Sequence, residues 1–142
     1  MKSFKYIFYL TSLFFFFVQN GLIGQNISGE LKKWHKVTLN FEGPETSETD
    51  EQNPFLNYRL NVVFRHEKTA KSYLIPGYYA ADGNAGNTGA IAGNSWKVHF
   101  APDETGEWTY TVAFKKGKWA AVRTSEKLSG GEYMDGATGG FS

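Results

Sequence analysis

The chain has no cysteine. That absence excludes disulfides and thiolate metal sites, and with them a lipid-modified cysteine at the N-terminus. Proline, at four residues, and methionine, at two, are also scarce. No apolar run reaches the roughly 20 residues that a helix needs to cross a bilayer. The longest, Tyr6 to Val18, has 13 residues. Charge of one sign is missing too: 15 Lys and Arg face 14 Asp and Glu. So balanced a chain has no electrostatic footprint for nucleic acid or for an anionic membrane.

The short apolar run sits at the N-terminus. Lys2 and Lys5 precede it, and the polar pair Gln19 and Asn20 ends it. A positive start, an apolar stretch of this length and a polar exit make a secretory signal peptide. We expect residues 1–25 to be the signal, with cleavage near Gly24 or Gln25, and residues 26–142 to be the mature domain. Localisation is then secreted or periplasmic. Without Lys2 and Lys5, 13 basic residues face 14 acidic ones, for a formal charge of −1. About 117 residues remain, enough for one domain with its own core.

That core is aromatic. Beyond the signal stand six Phe, six Tyr and four Trp, against nine Leu and Ile together. Aromatic and β-branched residues favour strands, and a period of two marks them. His35, Val37, Leu39 and Phe41 share one face of a strand from Trp34 to Phe41. Tyr58, Leu60, Val62 and Phe64 do so from Tyr58 to His66. A third strand, Lys71 to Tyr79, carries Pro76 and Gly77 as a bend. Trp96, Val98 and Phe100 alternate in Ser95 to Phe100. Trp108, Tyr110, Val112 and Phe114 alternate in Glu107 to Lys115. A weaker strand runs from Trp119 to Arg123. No window has the pattern of an amphipathic helix. The expected fold is all-β, an immunoglobulin-like two-sheet sandwich of about six or seven strands. Trp96, Trp108 and Tyr110 are expected in the core, with Pro102 to Gly106 as a hairpin-like turn between their strands.

Three stretches read as loops: acidic Gly43 to Pro54, small and polar Ala80 to Asn94, and glycine-rich Ser125 to Gly140. Glu45, Glu48, Asp50 and Glu51 crowd the first. A glycosidase holds two carboxylates about 5–10 Å apart on a rigid frame, whereas a run on a loop reads as a solvated face. His35, His66 and His99 fall on three separate strands with no metal-ligand spacing between them. Asp82, Asn84, Asn87, Thr88 and Asn94 offer oxygens of the kind calcium takes, but with a single carboxylate. No serine sits in a nucleophile-elbow pattern, and the glycine-rich loop lacks phosphate-binding spacing. We therefore expect no catalytic residue, no metal and no cofactor. Contact residues remain. Tyr78 and Tyr79 are adjacent on a strand, so one must face outward, and Trp119 follows a charged turn. These three are the candidates for carbohydrate or partner contact.

Several segments carry a resemblance: WHKVTLNFEGPE from Trp34, NPFLNYRLNVVF from Asn53, PGYYAADGN from Pro76, NSWKVHFAPDETGEWTYTVAF from Asn94, and DGATGGF from Asp135. Together they resemble the uncharacterised immunoglobulin-like N-terminal domain found ahead of glycoside-hydrolase-like barrels in secreted bacterial proteins. The resemblance spans roughly Trp34 to Phe141. It implies a non-catalytic accessory domain of a carbohydrate-active protein, serving structure or domain docking, with no catalytic residue to carry over. The implied partner is a barrel domain in cis, or a polysaccharide if the domain is instead a free-standing carbohydrate-binding module. A barrel needs about 250 residues, so the sequence to Ser142 represents either a fragment of a longer glycoside-hydrolase-like protein or a domain that works alone.

Overall fold

A computed structural model describes residues 25–123 and 128–142. The expected signal peptide, apart from Gln25, lies outside the described residues. Eight strands are present among these: β1 (Gln25–Gly29), β2 (Val37–Ser47), β3 (Tyr58–His66), β4 (Ser72–Pro76), β5 (Tyr78–Tyr79), β6 (Ala92–Phe100), β7 (Trp108–Lys116) and β8 (Thr138–Phe141). Two single-turn helices, α1 (Pro54–Asn57) and α2 (Ala85–Thr88), punctuate them. One sheet has the order β1-β2-β6-β5 and the other β4-β3-β7-β8. All neighbours are antiparallel. This is the strand order of an immunoglobulin sandwich with an added edge strand on the second sheet.

The inward faces are those that the period of two selects. In the first sheet Phe41 lies opposite Trp96, Leu39 opposite Val98 and Val37 opposite Phe100. In the second, Leu60 faces Phe114, Val62 faces Val112, and Phe64 faces Tyr110. All are buried. The register stacks them in three layers. At one end Phe64 stacks on Phe100 at 4.2 Å between ring centroids, with Trp108 edge-on to Phe100 at 5.0 Å. At the other, Trp96 meets Phe114 at 5.0 Å and Tyr58 at 5.6 Å. Leu39, Val62, Val98 and Val112 fill the middle. Where many antibody domains have a disulfide between the sheets, this sandwich has two aromatic clusters joined by aliphatic packing.

Several elements differ from the expectation. The third strand is two strands in different sheets: β4 pairs with β3, and β5 pairs with β6. Gly77 makes the switch. Its N–H donates to Leu60 O at 2.9 Å, and a Cβ there would collide with the Leu60 side chain and lie 2.8 Å from Lys97 O. The bend at Pro76-Gly77 is therefore the passage between layers, too narrow for a side chain. Trp119 to Arg123 is not a strand but a run of turns, with Val122 and Arg123 N–H groups both donating to Trp119 O at 3.0 Å. The Pro102 to Gly106 turn is not a hairpin: it carries the chain from β6 in one sheet to β7 in the other. The first predicted strand begins at Val37, because His35 N–H closes a turn onto Lys32 O at 3.0 Å. It continues to Ser47 through an irregularity between Glu42 and Thr46. Finally, β1 and β8 complete an edge of each sheet from segments with no clear alternation.

The DGATGGF segment owes its fold to one carboxylate. Asp135 Oδ1 accepts from Phe114 N–H at 2.7 Å, and Oδ2 accepts from Gly131 N–H at 2.6 Å and Lys115 Nζ at 2.9 Å. Val112 N–H donates to Ala137 O, and Gly136 N–H to Val112 O. The Asp135 side chain thus extends the β7–β8 ladder past the end of β8. Burial of this carboxyl opposes its ionisation, but the Lys115 ammonium and the two backbone N–H groups outweigh it. Its pKa is held below the usual carboxylate range.

Candidate contact surfaces

The structure separates the two tyrosines. Tyr79 is 5% exposed and belongs to the core: its hydroxyl donates to Thr46 O at 2.5 Å, with Gly93 O at 3.2 Å. It cannot present a face to a ligand, so the contact role expected for it is withdrawn. Tyr78 is 43% exposed on the outer face of the first sheet. Its hydroxyl meets His99 Nε2 at 2.8 Å, and Thr38 Oγ1 meets His99 Nδ1 at 2.8 Å. One imidazole thereby links three strands across that face. Partial burial of His99, with Lys36 and Lys97 nearby, lowers its pKa and favours the neutral ring.

Trp119 is elsewhere, at the Tyr58 end of the sandwich. Its N–H donates to Asn57 Oδ1 at 3.1 Å. Gly117 N–H bonds to Asn57 O, and Ala121 N–H to Leu56 O, both at 3.0 Å. These bonds fasten the turns after β7 to α1. Asn53 caps α1 by accepting from Phe55 N–H at 2.9 Å. Phe55, Leu56, Trp119 and Val122 all remain exposed on the two fastened segments. Between them opens a cleft of about 550 Å³ whose lining includes Glu51, Asn53, Leu56, Asn57, Lys116 and Trp119. Neither the cleft linings nor any hydrogen bond brings Tyr78 and Trp119 together.

At the opposite end stands a residue that alternation assigned to a strand. Trp34 lies outside β2 and is 68% exposed. Its N–H donates to Pro102 O at 2.8 Å, which fixes it with φ +65°. Trp119 has almost the same backbone, φ +64°. Left-handed backbone costs an L-residue roughly 1–2 kcal/mol and normally selects glycine or asparagine. Each end of the sandwich therefore presents an exposed indole on strained backbone.

Beside Trp34 is an ionic cluster that the sequence did not announce. Asp103 Oδ2 accepts from Tyr73 Oη at 2.8 Å and from Lys71 Nζ at 3.0 Å, and Lys71 also reaches Glu104 Oε1 at 2.5 Å. Tyr73 and Lys71 hold the Asp103 carboxyl below its ordinary pKa, and Glu104, then Asp103, raise that of Lys71. The Pro-Asp-Glu-Thr-Gly string signalled a turn but not its reach to β4, since Lys71 is 32 positions away.

The remaining polar candidates hold the fold. Asp50 Oδ2 accepts from Ser47 N–H at 2.8 Å and Thr46 Oγ1 at 3.1 Å, closing the acidic loop. Asp82 Oδ1 accepts from Asn84 N–H at 2.7 Å, and Asn87 Nδ2 donates to Asn84 Oδ1 at 2.7 Å, so these oxygens fasten their own loop. His66 is buried. Its Nδ1 accepts from Thr69 N–H at 3.2 Å, so Nε2 carries the proton and donates to Thr105 O at 3.1 Å. His35 is exposed, 3.1 Å from Glu30. Among the described residues no group of three or more His, Cys, Asp or Glu could hold a metal ion.

Comparison with known proteins gives a family and a structural neighbour. The model of a family described as a domain of unknown function (DUF5060) matches residues 30–115. No curated protein matches the chain. A crystal structure of a provisionally assigned glycoside hydrolase from Bacteroides vulgatus is similar at 22% identity and a TM-score of 0.47. That similarity covers 77% of this chain and 15% of the other, so the chain spans a small part of that protein's length. The family match ends inside β7, and β1 and β8 lie beyond its two limits.

Proposed function

The chain belongs to the DUF5060 family, and on that premise we propose that it is a non-catalytic accessory domain that docks onto a barrel domain of a carbohydrate-active protein. One observation carries this reading: Leu56 and Trp119 line one open cleft, and Phe55 and Val122 are exposed on the same two segments, which are fastened by hydrogen bonds. Exposed apolar patches on small domains mark interaction surfaces. Tryptophan is among the side chains enriched where a few residues dominate a protein interface. The choice of a barrel rests on the segments that resemble domains preceding glycoside-hydrolase-like barrels.

Docking has a measurable signature. Joined in one chain to its barrel, the domain should raise the barrel's melting temperature, and the doubly substituted Leu56→Ser, Trp119→Ser form should lose that gain. The isolated domain should bind soluble polysaccharides no tighter than about millimolar, near −4 kcal/mol. Micromolar polysaccharide binding lost in Trp119→Ala or Tyr78→Ala would reject docking as the main role. It would establish the alternative, a free-standing carbohydrate-binding module.

A further inference from the structure

Two segments of opposite charge meet at the Trp119 end. From Glu42 to Tyr58 the chain has no Lys or Arg, and it carries Glu45, Glu48, Asp50 and Glu51. From Trp108 to Ser125 it has no Asp or Glu, and it carries Lys115, Lys116, Lys118 and Arg123. The bonds from Gly117 to Asn57 and from Ala121 to Leu56 fasten one segment to the other. Some of these charges are used within the fold: Asp50 accepts from Ser47 and Thr46, and Lys115 donates to Asp135. Glu45, Glu48 and Glu51 are exposed, and among the described residues their carboxylates enter no ion pair or hydrogen bond. Lys118 has no such partner either, and Lys116 Nζ lies only over the Tyr58 ring, 5.7 Å from its centroid. The lining of the 550 Å³ cleft takes Glu51 from the acidic segment and Lys116 and Lys118 from the basic one. No ion pair among the described residues joins them.

We propose that this surface is self-complementary and pairs with a second copy of the chain about a two-fold axis, the acidic segment of each copy against the basic turn of the other. A two-fold rotation through the middle of a patch lays it on its own copy with its two sides exchanged. Acid then meets base on both sides of the axis. Leu56, Trp119, Phe55 and Val122, exposed on the same two segments, supply the apolar surface. A partner of one sign would be drawn to one segment and repelled by the other. A neutral partner would desolvate both sets of charges and pair with neither, which is costly. A second copy answers both signs with no further requirement, and the symmetry closes the assembly at two chains. The inference rests on the docking reading in that it uses the same exposed segments, but it does not depend on a barrel as the occupant.

The test is analytical ultracentrifugation of the chain from Gln25 onward, at protein concentrations up to about 1 mM. It should show a monomer–dimer equilibrium with no larger species. Raising salt from about 0.05 to 0.5 M should weaken pairing at least about tenfold, because exposed charge pairs are screened. Charge reversal then tests the register. Lys116→Glu with Lys118→Glu makes both sides acidic, and Glu48→Lys with Glu51→Lys makes both sides basic. Each doubly substituted form alone should remain monomeric, and an equimolar mixture of the two should pair. That rescue also shows that both forms fold. Glu51→Gln and Lys118→Gln, which keep the side-chain size, should each weaken the parent dimer by a smaller factor. Trp34→Ala, at the opposite end, should pair like the parent. A parent chain still monomeric at about 1 mM in dilute salt would overturn the proposal. So would a dimer unmoved by either reversal, a mixture that fails to pair, or assemblies larger than two. None of these results bears on the melting gain that tests docking to a barrel, so the two readings fail separately.

Discussion

The two ends of this sandwich bury equivalent tryptophans in different ways. At one end Trp108 Nε1 donates to Glu104 O at 3.1 Å, and the ring packs on Phe100 and Tyr73. At the other, Trp96 is as deeply buried, yet its Nε1 has no hydrogen-bond partner among the described residues. Its indole is held by ring packing. Tyr58, Tyr79 and Phe114 surround it, and Gly43 lies so close that a Cβ would come within 2.5 Å of the indole. The difference teaches what each end asks of its tryptophan. The Trp108 end uses the indole N–H to fix the crossover between sheets. The Trp96 end uses only ring volume, and leaves the fixing to Asp135.

Truncation should not distinguish the ends, but conservative substitution should. Trp108→Ala and Trp96→Ala should each cost about 3–5 kcal/mol, the usual loss for a large core aromatic. With phenylalanine the symmetry breaks. Trp108→Phe removes a hydrogen bond and leaves Glu104 O short of a donor, whereas Trp96→Phe removes an N–H that was unpaired. Trp108→Phe should be the more destabilising by about 1 kcal/mol. Urea unfolding of the four variants measures this. A costlier Trp96→Phe would mean that ring volume, and not the hydrogen bond, sets the contrast.

The Asp135 clasp sharpens the same comparison. Its carboxylate is nearly buried and takes three donors. Asp135→Ala should destabilise by about 2–3 kcal/mol, in the range for hydrogen bonds to a charged group. The folded pKa is depressed, so the stabilisation is complete above the unfolded value of about 3.9 and is lost as pH falls through the folded one. Stability of the parent should therefore drop on acidification below about pH 4 more steeply than that of Asp135→Ala. Parallel pH profiles would show that the clasp does not depend on ionised Asp135.

How much of this was legible in the sequence depends on whether neighbours or distant partners decide each position. The inward faces of β3, β6 and β7 follow from alternation alone, because burial on one side of a pleat is a local pattern. β3 was delimited to the residue. The split of the third strand was not legible, since Gly77 is explained only by Leu60 and Lys97 arriving from two sheets. β8 escaped because its ladder is continued by a side chain and its glycines carry no alternation. Of the contact candidates, Trp119 and Tyr78 are exposed. Tyr79 is not, and adjacency could say only that one tyrosine of the pair faces out. Trp34 was read as a strand residue because it precedes a clean alternating run; its left-handed backbone comes from a bond to Pro102, far along the chain.

The smallest expected effect concerns the two exposed tryptophans. Trp34 and Trp119 sit at φ +65° and +64°, where glycine has no steric penalty. If either indole served the fold, replacing it would cost stability. If both serve contact with something outside the domain, replacement should relieve strain. Glycine would recover roughly 1–2 kcal/mol of left-handed backbone energy. It would give back about 0.5–1 kcal/mol through the greater freedom of the unfolded chain. Trp34→Gly should therefore be neutral or stabilising by up to about 1.5 kcal/mol. Trp119→Gly should gain less, because its ring is more covered, at 42% exposed against 68% for Trp34, and some apolar burial is lost. Thermal and urea unfolding of both variants measure the difference. A loss above about 1 kcal/mol at Trp34 would make that indole a structural residue and remove the strain argument for its end; the same loss at Trp119 would do so for the docking surface.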